Sequence, residues 1–455
     1  MYNTARGRSF PLTESLRRDA ERIVETLRAA GHEAYFAGGC VRDLVMGVEP
    51  HDYDIATSAR PEEVVRLFPR SLAVGAQFGV VVVIAGSGNF EVAAFRTDAP
   101  SSDGRHPDSV RLCSAREDVA RRDFTINGML YDPAARRVID WVGGEQDVRD
   151  CVIRAIGNPD ERFAEDKLRL LRAVRFAAKL GYAIEEKTYA AMVHMAAHVG
   201  EVSAERIRDE LVRILTGPNA GRAVRLMHDT GLLKAILPEI EALAGVEQPP
   251  QFHPEGDVLE HTCVMLDAMR SPSTELAMAV LLHDVGKPQT QTFAERIRFD
   301  DHDQAGAEIT RDVCRRLRFS NDQLEQIVSL VGSHMRFMVA QRMKLSTLKR
   351  LLALSRFDEH LELHRLDCIA SHGKLDNYEF LLAKLEEFSG EEIAPEPLLT
   401  GRDLIEMGYK PGPIFKRILD AVREEQLEGR LASRVEGIEW VRKRSKDWES
   451  DLDTR

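Results

Sequence analysis

The sequence predicts an α+β multidomain chain, with a mixed-sheet domain first and all-helical domains after it. Three observations predict this. Short runs rich in β-branched and aromatic residues, bounded by glycine and turn residues, are confined to residues 1–150. From Pro159 onward the apolar residues recur at helical spacing instead. The chain has 455 residues, enough for three or four domains of ordinary size. Breaks in pattern divide it into residues 1–150, 151–248, 249–378 and 379–455, with Pro249 and Pro250 marking the third boundary.

The elements follow in order. Leu16, Ala20, Ile23, Val24 and Leu27 form one stripe of a leading helix, Leu12 to Ala30, which ends at Gly31. Ala34 to Ala37 is a short apolar run that stops at Gly38 and Gly39, after which a helical pattern begins. Such a turn lets backbone amides approach a phosphate without a Cβ in the way, and Arg42 adds positive charge to it. Asp52 and Asp54 alternate with Tyr53 and Ile55, which is strand spacing. Both carboxylates then point to one face, roughly 6.6 Å apart along a strand. That suits one or two Mg2+ ions sharing oxygen ligands. Pro61 to Phe68 reads as a helix with proline in its first turn. Phe78 to Ala85 and Phe90 to Arg96 read as strands joined by a turn at Gly86-Ser-Gly-Asn89. Glu91 is either a third carboxylate at the metal site or an exposed edge residue. Thr97 to Val110, rich in Asp, Ser, Gly and Pro, is a loop that could close over substrate.

Next come Arg121-Arg-Asp-Phe-Thr-Ile-Asn-Gly-Met-Leu130 and Asp140-Trp-Val-Gly-Gly144. Guanidinium groups suit triphosphate oxygens, and a carboxylate can accept from a ribose hydroxyl. Arg162, Glu165, Asp166 and Arg169 fall at i, i+3, i+4 and i+7 of a single predicted helix. Composition alone reads them as an ion-pair ladder. Arg162, Lys167, Arg169, Arg172, Arg175 and Lys179 make that helix basic. The whole chain carries a formal charge of −12, from 62 basic and 74 acidic residues. That balance argues against a surface coated in nucleic acid and leaves an RNA partner dependent on a local basic patch. The six cysteines include no Cys-x-x-Cys pair, so neither a disulfide framework nor a thiolate zinc site is expected. No N-terminal segment joins a basic start to an apolar core, and no apolar run approaches a bilayer span, so a cytoplasmic location is expected.

The combination Gly-Gly-x-Val-Arg-Asp…His-Asp-Tyr-Asp-Ile-Ala-Thr, followed by Arg-Arg-Asp-Phe-Thr-x-Asn and by Glu165-Asp-Lys-Leu-Arg169, resembles the class II tRNA nucleotidyltransferase and poly(A) polymerase family. The resemblance implies a polymerase-β-like nucleotidyltransferase head, then an all-α neck. It implies Asp52 and Asp54 as catalytic Mg2+ ligands, with Glu91 a candidate third. Gly38, Gly39, Arg42, Arg122, Asp123, Asn127, Arg172 and Arg175 join them as nucleotide-binding residues. Asp166 and Arg169 would read the Watson–Crick edge of CTP or ATP as a protein template. Gly128 stands where the family usually has alanine. Asp140 to Gly144 would be a hinge, and Ser203 to Leu211 a structural support.

Histidines become frequent beyond Pro250. His261, His283-Asp284, His302, His334 and Asp367 are spread over predicted helices of one segment. Imidazoles combined with carboxylates suit Mn, Fe, Ni or Zn rather than Ca. The set resembles the HD phosphohydrolase superfamily in its two-metal form, which implies a working hydrolase with Lys287 placed to meet a phosphate. His253, His360, His364 and His372 are expected as surface or polar-core histidines. The segment from Pro397 to Pro413, with the helices after it, resembles the tail of HD-bearing CCA-adding enzymes, where it would support the tRNA elbow. Val74 to Val80 lacks an Arg-rich stretch associated with poly(A) addition, which favours CCA addition to tRNA from CTP and ATP. CC-only, A-only and poly(A) addition stay open. A phosphohydrolase whose head only binds RNA is the alternative of another class.

Overall fold

The computed structural model describes residues 11–75, 79–98, 110–248, 256–293, 297–388, 393–444 and 448. Most of the loop expected at Thr97 to Val110, the Pro249-Pro250 boundary and His253 lie outside them. The chain forms two compact units, Met1–Glu241 with Arg316–Arg318, and Ala242–Arg315 with Phe319–Arg455.

The first unit opens with the helix Pro11–Ala29, whose Ala20, Ile23, Val24 and Leu27 are buried as the apolar stripe requires. A seven-stranded sheet follows, built from β1 (Ala34–Ala37), β2 (Asp54–Thr57), β3 (Ser71–Gly75), β4 (Val80–Ala85), β5 (Gly88–Ala94), β8 (Met129–Asp132) and β9 (Arg137–Asp140). Its order is β3-β4-β5-β2-β1-β8-β9. A separate ribbon pairs β6 (Arg96–Asp98) with β7 (Val110–Leu112). The seven-stranded sheet is mixed, because β2 and β5 run parallel while the other pairings are antiparallel. The turn between β4 and β5 is shorter than the sequence suggests, since Gly88 already pairs with Ala85. Asp19 of the leading helix accepts hydrogen bonds from the Ser87 amide and hydroxyl, at 2.9 and 2.6 Å, and fixes that turn. One sheet face packs Ala37, Ala56, Phe95 and Leu130 against Ala115 and Val119 of the helix Ala115–Ala120.

The helices Pro159–Glu165 and Leu168–Leu180 correct the expectation of one continuous helix there. Asp166 between them is extended, at φ −147° and ψ 102°. Its carboxylate accepts from the Leu168 amide at 3.1 Å and so caps the second helix, which a continuous helix would forbid. Glu165 still pairs with Arg162 within the first helix at 2.9 Å, and with Arg169 across the break at 2.7 Å. The helix Ala204–Leu215 packs alongside, with Leu211, Ile214 and Leu215 buried.

The second unit is almost wholly helical. Val258–Ala268, Thr274–Leu282, His302–Arg316, Asn321–Ser333 and Phe357–Ala370 frame the histidine set, with His283-Asp284 and His334 directly after the second and fourth of them. From Leu276 to Leu282 the helix Thr274–Leu282 is apolar all round and buried on every side, as such a sequence must be. Farther along, Leu399, Leu404, Ile418, Val422, Leu431 and Val441 form a separate apolar cluster. No described helix is long and apolar enough to cross a membrane.

Candidate active site and metal centre

The turn after β1 sets the first site. Gly38 has φ 73°, a left-handed conformation that favours glycine, and it precedes the helix Gly39–Val45. A Cβ on Gly38 would lie 3.4 Å from Arg122 Nη1 and 3.7 Å from Asp54 Oδ2, so the turn borders both a guanidinium and a carboxylate. Asp54 opens β2, while Asp52 lies just ahead of the strand rather than within it. The parallel register, Ile55 opposite Val92, sets Glu91 next to Asp54 on the neighbouring strand. Desolvation by the surrounding protein, reinforced by Asp52 and Glu91, pushes the Asp54 carboxyl up to about 6, and Arg122 opposes the shift. These three carboxylates, with one guanidinium nearby, offer the hard oxygen ligands that a divalent cation takes.

Arg122 is held there by a residue that the motif reading missed. Buried Asp118 accepts from Arg121 Nη2 at 2.7 Å and from Arg122 Nη2 at 3.0 Å. Burial would raise the Asp118 pKa, but Arg122 and Arg121 carry it below the usual value. The signal was present, because Asp118 lies three and four residues before the arginines.

The other nucleotide-binding candidates are engaged with one another. Arg172 grips Asp123 Oδ2 through Nε and Nη2, at 2.8 and 2.6 Å. Asn127 donates to Asp123 Oδ1 at 3.3 Å and accepts from Arg42 Nη1 at 3.0 Å. Burial acts to raise the Asp123 pKa, and Arg172 holds it below the usual value. Arg42 is itself buried and paired with Asp43, so its charge is spent inside the protein rather than on the turn's surface. Arg175 turns away to Glu210 at 2.5 Å. The template candidates are also fixed. Arg206 holds Asp166 Oδ2 at 2.8 Å, and Arg169 donates to the Arg162 and Arg121 carbonyls at 2.8 and 3.0 Å. Arg206, like Asp118, was not singled out from sequence.

In the second unit the histidine set divides into two groups, His261, His283 and Asp367, and Asp284, His302 and His334. In each group the ligand atoms lie within 4.8 Å of one another. His283, His302 and His334 each direct Nδ1 at the carbonyl three residues earlier, at 2.9, 2.7 and 2.7 Å. A carbonyl only accepts, so each Nδ1 carries the proton and each Nε2 of a neutral ring presents a lone pair. His302 and His334 bring those Nε2 atoms to 3.2 Å. Two lone pairs meet at that distance favourably only with a proton or a metal ion between them, so the donor set fits a metal. Asp284 bridges His283 and His302, at 3.1 and 3.4 Å, and Asp367 meets His261 at 3.3 Å. Burial opposes the ionised form of Asp284, but His283 and Lys287 hold it well below the carboxylate range. Burial, His283 and His302 push His334 down to about 4.

A cavity of about 600 Å³ opens onto this centre, lined by Gln248, Lys287, Arg298, Phe299, Met335 and Met338 among others. Lys287 faces it but is already bound to Asp284 Oδ2 and Gln248 Oε1, both at 2.6 Å. His360 and His364 are polar-core residues as expected, packed against Phe337.

Three family models match the chain. A poly A polymerase head domain covers residues 34–154, a "probable RNA and SrmB-binding site of polymerase A" covers 181–243, and an HD domain covers 257–360. A CCA-adding enzyme of Lactobacillus helveticus (strain DPC 4571) is 31% identical over 418 residues, spanning 92% of this chain and 94% of the relative.

The chain belongs to the CCA-adding enzyme family.

Another member, from Geobacillus sp. (strain WCH70), is 44% identical over 211 residues, a match that spans only 46% of this chain and 52% of the relative. The crystal structure of the Bacillus stearothermophilus CCA-adding enzyme in complex with CTP matches with a TM-score of 0.71 at 29% identity, covering 97% of this chain and 100% of that one. Its fold agrees with the expected mixed-sheet head and helical remainder. The head and HD domains of the CCA-adding enzyme family both imply divalent metal use.

Proposed function

We propose that this chain adds CCA to the 3′ ends of tRNA from CTP and ATP. The observation that carries the proposal is the gathering of Asp52, Asp54 and Glu91 beside the Gly38 turn and Arg122, in a chain aligned over almost its whole length with a CCA-adding enzyme. An RNA 3′-hydroxyl attacks the α-phosphorus and pyrophosphate leaves. Mg2+ ions bound by Asp52 and Asp54 would supply charge neutralisation at the attacking and leaving oxygens. The amides of Gly38 and Gly39 and the guanidinium of Arg122 receive the triphosphate. Asp123 and Asn127 face the ribose, and Asp166 and Arg169 select the base by offering an acceptor and donors. Arg42, Arg172 and Arg175 act one layer back, through the partners described above. Glu91 completes the carboxylate group.

The domains assigned to these tasks are the head (1–150), the neck (151–248), the HD domain (249–378) and the tail (379–455). In the HD domain, His261, His283, Asp284, His302, His334 and Asp367 hold a transition metal, Mn, Fe, Ni or Zn, for phosphohydrolysis, with Lys287 and Arg298 toward the phosphate. The imidazole-rich donor set supports this choice over Mg or Ca. The cytoplasm suits a tRNA substrate, and six cysteines without a disulfide suit a reducing compartment.

Substitution separates the two sites. Asp52→Ala is expected to lower nucleotide incorporation by about a thousandfold or more while the HD metal content stays unchanged. His283→Ala is expected to reduce that metal content and any phosphatase turnover while incorporation persists. If Asp52→Ala in a folded protein left incorporation intact, the reading would be wrong.

A further inference from the structure

Phe176 lies on the helix Leu168–Leu180, two turns beyond Arg169, and is 6% exposed. Three guanidinium groups surround its ring, with Arg175, Arg172 and Arg42 at 4.3, 5.4 and 5.8 Å from the centroid. Phe124 meets the same ring edge-on, with centroids 5.8 Å apart and planes at 76°. Three cations around one ring repel each other unless each has an anion of its own. Each has one: Asp43 for Arg42, Asp123 for Arg172 and Glu210 for Arg175. The electron-rich ring is the element that all three share.

The contacts close into a circuit. Arg42 donates to Asn127, Asn127 donates to Asp123, Arg172 grips Asp123, and Arg172 and Arg42 return to Phe176. Its members come from three separate stretches: the helix behind the Gly38 turn, the Arg121-to-Leu130 segment, and the helix that begins just after Asp166 and contains Arg169. Remove the ring and Arg42 reaches the Leu168–Leu180 helix only indirectly, through the relay of Asn127, Asp123 and Arg172. We propose that Phe176 is a positioning residue for the incoming nucleotide, locking the base-selecting helix to the phosphate turn and the ribose-facing pair as one rigid unit. The inference rests on the nucleotidyltransferase reading above. Base selection and triphosphate placement are then coupled, because one ring braces both ends of the relay.

The test is a series in which Phe176 is replaced by mono-, di-, tri- and tetrafluorophenylalanine, which drains the negative face of the ring with little change in its size. KM and kcat for CTP, the preference for CTP over UTP, CTP binding by calorimetry, and melting temperature are read across the series. The expected result is a stepwise weakening of CTP binding and rise in KM, reaching about tenfold, with falling preference for CTP and only a small stepwise fall in melting temperature. Phe176→Tyr, which keeps the ring, is expected to match the wild type, whereas Phe176→Leu is expected to resemble the most fluorinated form. A flat series in KM, binding and preference overturns the inference, even if Phe176→Leu fails to fold. A wild-type chain that neither binds nor incorporates CTP overturns the nucleotidyltransferase reading itself, and this inference with it.

Discussion

At the scale of single residues, function depends on how charge is held. Arg169 makes two hydrogen bonds to backbone carbonyls and one ion pair with Glu165, which leaves its guanidinium little freedom to rotate. A donor fixed before substrate arrives discriminates better than one that must be ordered on binding. Arg169→Ala is therefore expected to lower the preference for CTP over UTP by about tenfold to a hundredfold, measured by competing the two on one tRNA. Unchanged preference would remove Arg169 from the template. Asp118→Asn tests the support of Arg122. Loss of one buried charge facing two guanidinium groups is expected to raise KM for nucleotide, with a smaller change in kcat. The carboxylate pair, the Arg-Arg-Asp segment and the histidine set were all legible in the sequence, because each chemistry needs its residue types close together along the chain or in a fixed order. Asp118, Arg206 and Phe176 were not, since a supporting residue is identified by what it touches, and Arg206 lies 40 residues from the Asp166 that it holds.

Elements explain two departures from expectation. The sequence pattern over 162–169 satisfies helical spacing, yet Asp166 competes with the helix by capping its successor. Periodicity reports which face a residue would occupy, and it does not report whether an aspartate will bond to the backbone instead. Gly128 is the second departure. Its φ of −93° would accept alanine, but a Cβ there would lie 2.7 Å from Ile156 Cδ1 and 3.0 Å from Val142 Cγ2. Gly128→Ala alone is expected to destabilise the first unit by about 1–3 kcal/mol. Combined with Ile156→Val, which deletes the offending methyl, it is expected to recover most of that loss in thermal unfolding. In the tail, Asp403 caps the helix Gly401–Glu406, accepting from the Thr400 amide at 2.6 Å and from Arg434 Nε at 2.8 Å. The Thr400 amide and hydroxyl, with Arg434, hold its carboxyl down at about 2. A depressed carboxyl stabilises the fold above its unfolded value of about 4, and that contribution disappears as pH falls toward 2. The stability gap between wild type and Asp403→Asn is expected to close over this window, as followed by denaturant titration at several pH values.

At the scale of the molecule, the two compact units carry different chemistry. Ligands that bind the native state raise the stability of the part that they bind. CTP with Mg2+ is expected to raise the melting transition of the first unit, and a chelator strong enough to strip the histidine centre is expected to lower that of the second. Calorimetry in which both ligands move a single transition equally would contradict this division. That a mixed-sheet part precedes a helical one was visible from the change of periodicity after residue 150, and the HD domain from the histidines after 260. The short β4–β5 turn was not, because Gly88 reads as a turn residue and yet pairs with Ala85, and neither was the ribbon of β6 and β7, whose partners are separated by a long intervening stretch. The central claim concerns what the first unit does to RNA. The most direct measurement extends a tRNA that ends at its discriminator base, with CTP, ATP or both, and reads product length one nucleotide at a time. Growth by two nucleotides with CTP alone, and by three with both, stopping there, is the predicted result. A long A tract, or no growth on any tRNA, would contradict it.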